Sequence, residues 1–252
     1  MPFDPFGDFH KAGYLRNIEA EKNISIVKAQ EKVFFEAHLE DAMDFLRRIR
    51  GPVSYMHFRK VHEILFVEFY PWAGQDRQQL GVAAQVSKSG VVDFERAPLI
   101  AKAVQWGLDM GNDAHKIRLK PGAVMGAFAW AHPFLDGNGR AMMLVHTELC
   151  RRAGFLIDWP ATNKVAYLDA LSRELKDTSS MHLDAYLVPF LRPAAGSDDL
   201  ARQLRELPGL NGLASTAEDI AYDTSDERAM RSYRETKRSR GEENDLLDTP
   251  GA

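Results

Sequence analysis

Of 252 residues only one, Cys150, is a cysteine. An internal disulfide is therefore excluded, and so is a zinc site built on several thiolates. Charge of one sign is also lacking. The formal net charge is -4, which argues against a phosphate-binding surface spread over the whole chain, and no nucleic-acid partner is expected. No apolar run approaches the ~18 residues of a membrane span, and Met1 to Phe9 shows no basic region ahead of an apolar stretch. No membrane partner is expected and a cytoplasmic location is; export by a route without a cleavable signal stays open. After Pro193 the chain becomes poor in aromatics and rich in Ser, Thr, Asp, Glu and Arg.

What is present is mainly helical patterning. From Glu19 to Arg50 apolar residues recur at helical spacing, and Gly51-Pro52 stops the run. A second helix is read over Tyr55 to Glu68. Between Gln79 and Phe94 the composition turns to Val, Ala, Ser, Gly and Gln. There Val86, Ser87, Lys88, Ser89, Gly90, Val91 and Val92 read as a short β-hairpin turning at Ser89-Gly90. Pro98 to Met110 returns to helical spacing. Pro121 suits a helix's first turn, and Gly122 to Ala131 carries no charge, as a buried helix does. A further helix is expected from near Gly139 to Arg152, with Gly154 as C-cap.

Three units follow from this organisation. Residues 1–50 form an N-terminal helical segment packed on the core, 51–193 the core itself, and 194–252 a polar tail, partly helical or disordered. The fold class is mainly α, with one small hairpin.

The chemistry concentrates in His132-Pro133-Phe134-Leu135-Asp136-Gly137-Asn138-Gly139-Arg140. Gly137 and Gly139 let the backbone turn tightly and approach a ligand with no Cβ between them. N–H groups opening the next helix suit an anion. Arg140 in that first turn opposes the helix dipole unless an anion lies there. Asp136 beside the same anion calls for a bridging cation, and Mg²⁺ held by one carboxylate with phosphate oxygens is the usual solution. His132 is the nearby group that titrates around neutrality, the natural general base. Taken singly, Asp136 is an N-cap and the glycines are turn residues; the combination describes a phosphate–magnesium site with a base beside it.

This run resembles the Fic family signature, His-x-Phe-x-(Asp/Glu)-Gly-Asn-Gly-Arg-x-x-Arg, with nine consecutive residues matching. Upstream, His62-Glu63-Ile64-Leu65-Phe66, Tyr70-Pro71-Trp72-Ala73-Gly74 and Arg77 resemble the helix and loop ahead of the family's flap. The resemblance covers roughly residues 40–193 and implies a compact helical bundle with a hairpin flap. It also implies a protein adenylyltransferase, moving AMP from ATP to a Ser, Thr or Tyr hydroxyl of a target protein. His132 would take the hydroxyl proton, Asp136 hold Mg²⁺, Gly137, Asn138 and Gly139 cradle phosphates, and Arg140 neutralise pyrophosphate. Phe134 would anchor the loop. The hairpin from Val86 to Val92 would be the flap that pairs with a strand of the target.

The family's last arginine falls at position 143, where this chain has Met143. That leaves room for UTP, GTP or a CDP-linked donor, or for a weakly catalytic nucleotide-binding module. Ser239-Arg240-Gly241-Glu242-Glu243-Asn244 fits the family's inhibitory motif and would set Glu243 over the phosphates, with a solvated tail as the plainer reading. A homo-oligomer or an antitoxin partner fits family habit, as does a role as toxin or effector. His146 is read as packed or surface, Trp72 and Trp130 as core, and Gly74 and Arg77 as site rim or solvated loop. Tyr222, Ser232, Tyr233 and Thr236 offer hydroxyls for self-modification.

Overall fold

The structure is a computed structural model, and it describes residues 15–82, 85–88, 92–194, 200–207, 221–223 and 227–242. Helix α1 (Ile24–Arg48) begins where Asn23 accepts hydrogen bonds from the N–H groups of Ser25 and Ile26. A side-chain acceptor at that position satisfies N–H groups the helix leaves unpaired. Val27, Glu31, Phe35, Leu39, Met43 and Leu46 lie on its buried side. All are apolar except Glu31. Helix α2 (Tyr55–Phe66) opens on a capping box, in which the Ser54 N–H donates to His57 Nδ1 at 3.0 Å. It packs along α1.

The hairpin follows as strands β1 (Gln85–Lys88) and β2 (Val92–Asp93), paired antiparallel. Of the expected flap residues, Ser89, Gly90 and Val91 lie outside the described residues. Helices α3 (Ile100–Gly111) and α4 (Ala114–Leu119) lead to α5 (Pro121–Ala131), which has Pro121 in its first turn and buries every residue except Ala123. Then come α6 (Asn138–Arg152), β3 (Phe155–Ile157), α7 (Lys164–Lys176), α8 (His182–Leu187) and β4 (Leu191–Pro193). Gly154 sits just past α6 at φ +81°, the left-handed conformation that favours glycine at a helix end. The antiparallel pair β3–β4 was not foreseen from sequence.

Helix α5 is the central rod, contacted by α3, α4, α6, α7 and α8. Its opening is capped from outside: Asp184 of α8 accepts from the N–H groups of Gly122 and Ala123. A Cβ on Gly122 would strike the backbone of Leu183 and Asp184. The absence of that methyl lets α8 close over the start of α5, whose other end leads into the loop that begins at His132.

Beyond Pro193 come α9 (Leu200–Glu206), β5 (Ala221–Asp223) and α10 (Glu227–Ser239). Strand β5 pairs with β1, giving a three-stranded order β2-β1-β5. Among the described residues, no helix is long and apolar enough to cross a membrane.

Candidate active site

The loop 132–137 joins the end of α5 to the start of α6. His132 closes α5 in a left-handed conformation, φ +40° and ψ +59°. For a residue with a side chain this is strained, by about 1–2 kcal/mol, so the surroundings must impose it. Arg77 does so. Its side chain is wholly buried; Nε donates to the His132 carbonyl at 2.8 Å and Nη2 to the carbonyls of Ala131 and Glu95. Its own N–H donates to the Pro133 carbonyl at 2.8 Å. Arg77 is therefore neither rim nor solvated loop; it is the brace of the turn. The imidazole of His132 stacks on Phe94, centroids 3.8 Å apart, directly after β2. The expected base thus rests against the root of the flap.

Phe134 anchors the loop as expected, buried and stacked between His62 and Phe58. His62 is the site residue whose role the sequence did not disclose. Nδ1 accepts from the Gly74 N–H at 2.9 Å, which requires Nε2 to carry the proton, and Nε2 then donates to the Asp136 carbonyl at 2.9 Å. Burial pushes its pKa down to about 3, so it stays neutral and keeps this pairing. Gly74 itself, at φ +77°, packs tightly on Glu63 of α2.

The two glycines differ. Gly137 is the N-cap of α6 at φ +76°, and a Cβ there would lie 2.6 Å from the Phe66 ring. A Cβ on Gly139 would meet nothing within 4 Å. Gly137 makes the turn; Gly139 faces open space, and with it the unpaired N–H end of α6. Asn138 spends its side chain inside the loop, Nδ2 donating to the Phe134 carbonyl and Oδ1 accepting from the Phe134 N–H, both at 2.8 Å. Asp136 is not an N-cap: Oδ1 accepts from the Gly137 N–H at 2.6 Å.

The charges are paired in a way sequence did not suggest. Lys28 of α1 donates to Asp136 Oδ2 at 2.7 Å, and Arg140 approaches Oδ1 at 3.3 Å. Arg140 also pairs with the wholly buried Glu31 of α1 and lies over the Phe66 ring, 4.7 Å from its centroid. Burial alone would raise the Asp136 pKa, but Lys28 and Arg140 outweigh it and hold the carboxyl below its usual range. Burial likewise works against the Lys28 ammonium, and Asp136 and Glu31 more than restore it. Two cations and two anions balance. One buried guanidinium nitrogen, Arg140 Nη1, has no hydrogen-bond partner, a donor to spare for an incoming anion.

No cluster of three His, Cys, Asp or Glu side chains suited to a metal occurs among the described residues. Of the two carboxylates, Glu31 is wholly buried against Arg140, and Asp136 has both oxygens engaged. That suits Mg²⁺ brought in with phosphate oxygens as its other ligands, and does not suit a resident metal held by protein alone. Met143 is buried in the core, 5% exposed, so α6 presents no cation at that turn. His146 is packed, bonded to the Pro121 carbonyl at 2.8 Å. Glu243 lies outside the described residues.

The Fic/DOC family model matches residues 52–150, which include α2, the flap, α5 and the loop just described. Over these residues the chain is similar to the Fic/DOC family. Over 158 residues the chain is 29% identical to the protein adenylyltransferase VbhT of Bartonella schoenbuchensis, a match covering 62% of this chain and 32% of that protein. Over 163 residues it is 24% identical to the probable protein adenylyltransferase y4lH of Sinorhizobium fredii, covering 57% of this chain and 73% of that one. The chain thus matches about a third of the length of VbhT. Among solved structures, the N-terminal Fic domain of a VirB-translocated Bep effector from Bartonella quintana, with bound ADP, superposes with a TM-score of 0.58 at 20% identity. It covers 73% of this chain and 94% of that one. BepC of Bartonella tribocorum, with bound AMPPNP, gives 0.55 at 18% identity, covering 71% and 92%. These structures share the Fic fold: a helical bundle with a small hairpin.

Proposed function

We propose that this chain transfers AMP from ATP to a Ser, Thr or Tyr hydroxyl of a target protein. The observation that carries the reading is the loop itself. A strained His132, braced by Arg77, stands beside a helix N-terminus whose Gly139 is open to a ligand. Named adenylyltransferase relatives support the choice of nucleotidyl transfer.

In the reaction, the imidazole of His132 takes the proton of the target hydroxyl as its oxygen attacks the α-phosphorus. The bond from that phosphorus to the bridging oxygen breaks, and pyrophosphate departs with the electron pair. The N–H groups opening α6 and the spare donor of Arg140 receive the charge that develops on phosphate oxygens. When bound with the nucleotide, Mg²⁺ would screen the phosphates and be held by Asp136. Lys28 neutralises that carboxylate in the nucleotide-free protein. Most of the catalysis is positioning, as suits a displacement at phosphorus.

A second reading keeps the scaffold and changes the donor, to UTP, GTP or a CDP-linked compound. The buried Met143, which puts no charge beside a terminal phosphate, is the observation favouring it. The test is purified full chain with Mg²⁺, each α-labelled nucleoside triphosphate and a cell lysate, beside His132→Ala. Label from α-labelled ATP is expected on lysate protein and lost, by at least about a hundredfold, in His132→Ala. Label from another nucleotide alone would replace AMP transfer with the second reading, and label undiminished in His132→Ala would remove His132 as base.

A further inference from the structure

The flap has a strand on each side. On one edge of β1 lies β2; on the other lies β5, in the register Gln85↔Asp223, Val86↔Tyr222 and Ser87↔Ala221. The Val86 carbonyl accepts from the Phe94 N–H at 3.0 Å, towards β2. Backbone groups of successive strand residues face opposite edges, so Gln85 and Ser87 present theirs to Asp223 and Ala221. Of the hairpin's two outer edges this is the one already taken by a strand, and a target strand joining the flap through β1 by main-chain pairing would need it.

From these contacts we infer that Ala221–Asp223 is a tethered occupant of the target-docking edge, which must leave before a target strand can pair there. The inference rests on the flap's proposed role in docking the target.

The tether is α10, which begins four residues after Asp223 and is fastened to the root of the flap. Ser232 donates to Asp93 Oδ2 at 2.7 Å. Tyr233 donates to Glu95 Oε1 at 2.6 Å and Lys237 to Glu95 Oε2 at 2.9 Å, with both residues wholly buried. Trp130, two residues before His132, donates to Glu95 Oε2 at 3.0 Å, and Arg240 lies 4.2 Å over its ring. Three hydroxyls that could have been modified are thus partly or wholly committed to Asp93 and Glu95 (Thr236 reaches Asp93 at 3.3 Å).

The two parts of the tail are unequal. The helix is fixed by buried charge-assisted bonds, and the strand by three residue pairs. A three-residue pairing is weak by itself. Held by a short link, however, it competes at an effective concentration on the order of millimolar. A target binding with micromolar affinity wins the edge only when present well above its own dissociation constant. The strand can lift while the helix stays, so the flap opens without unfolding.

The experiment uses the full chain and the double variant Ala221→Pro/Asp223→Pro, which removes the two N–H groups facing β1 and leaves α10 intact. Amide exchange is read by NMR at Gln85 and Ser87 and along 227–239. Exchange at Gln85 and Ser87 is expected to rise about tenfold or more in the variant while 227–239 stays protected. A free peptide of residues 218–226 is expected to restore the protection. Rapid exchange at both positions in the unaltered chain overturns the occupancy, as does equal protection in both forms. In the lysate assay, transfer to target protein is expected to rise severalfold in the variant; an unchanged rate with an exposed edge overturns the competition. If neither form transfers label, the transfer reading fails, and the exchange measurements still decide whether the edge is occupied.

Discussion

Gly137 and Gly139 are separated by Asn138 alone and are held by different requirements. Gly137 needs its positive φ and has no room for a methyl against Phe66; Gly139 needs neither for folding. Gly137→Ala should lose about 1–3 kcal/mol in urea denaturation, and with it the loop. Gly139→Ala should stay within about 0.5 kcal/mol of the parent yet weaken ATP binding measured by calorimetry, because its methyl projects into the open space where the proposed function puts the phosphates. Equal stability losses would contradict the distinction. The sequence showed both glycines and the reason such a loop needs them, but their difference depends on Phe66, seventy residues away. The same holds for Asn138, legible as a loop residue, whose amide is consumed by Phe134.

Helices and their ends were the most legible elements. Pro121, Gly154 and the uncharged run of α5 each carry a local signal, and the structure places them as that signal directs. What stayed hidden was contact between elements. Glu31 and Lys28 look like ordinary members of a charged helix, and nothing in their spacing says that α1 turns them onto Arg140 and Asp136. Strand β5 was missed because three residues in a polar tail carry no alternation to read. Gly122 was missed for a related reason, since an apolar helix hides which of its small residues is a contact. Gly122→Ala should force α8 off α5 and lower stability by about 1–3 kcal/mol, seen as an earlier urea midpoint with tryptophan fluorescence as probe. A neutral outcome would mean the two helices tolerate separation.

At the scale of the whole molecule, acid should act through two buried histidines. Burial lowers His62 to about 3 and His146 to about 4, against about 6.5 in the unfolded chain. Between these values the unfolded state binds more protons, so stability rises with pH. Their contribution is complete above pH 6.5 and falls as pH drops towards the folded values. The slope should approach about 1.4 kcal/mol per pH unit for each histidine. Urea midpoints at pH 7, 6 and 5 measure it, and His146→Gln should reduce the slope between pH 6 and 5. A flat profile over that range would mean that neither ring is held neutral.

The pairing of Lys28 with Asp136 spans 108 positions of the chain, and that of Glu31 with Arg140 spans 109. Closing so long a loop yields nothing until the intervening helices have packed. In the denatured ensemble the nine-residue motif is therefore only a polar turn, with its carboxylate and guanidinium in water. Under the proposed function, competence to bind ATP then arrives with the last cooperative step of folding. Titrated with urea, nucleotide binding should vanish at the same midpoint as the global unfolding transition, with no earlier loss.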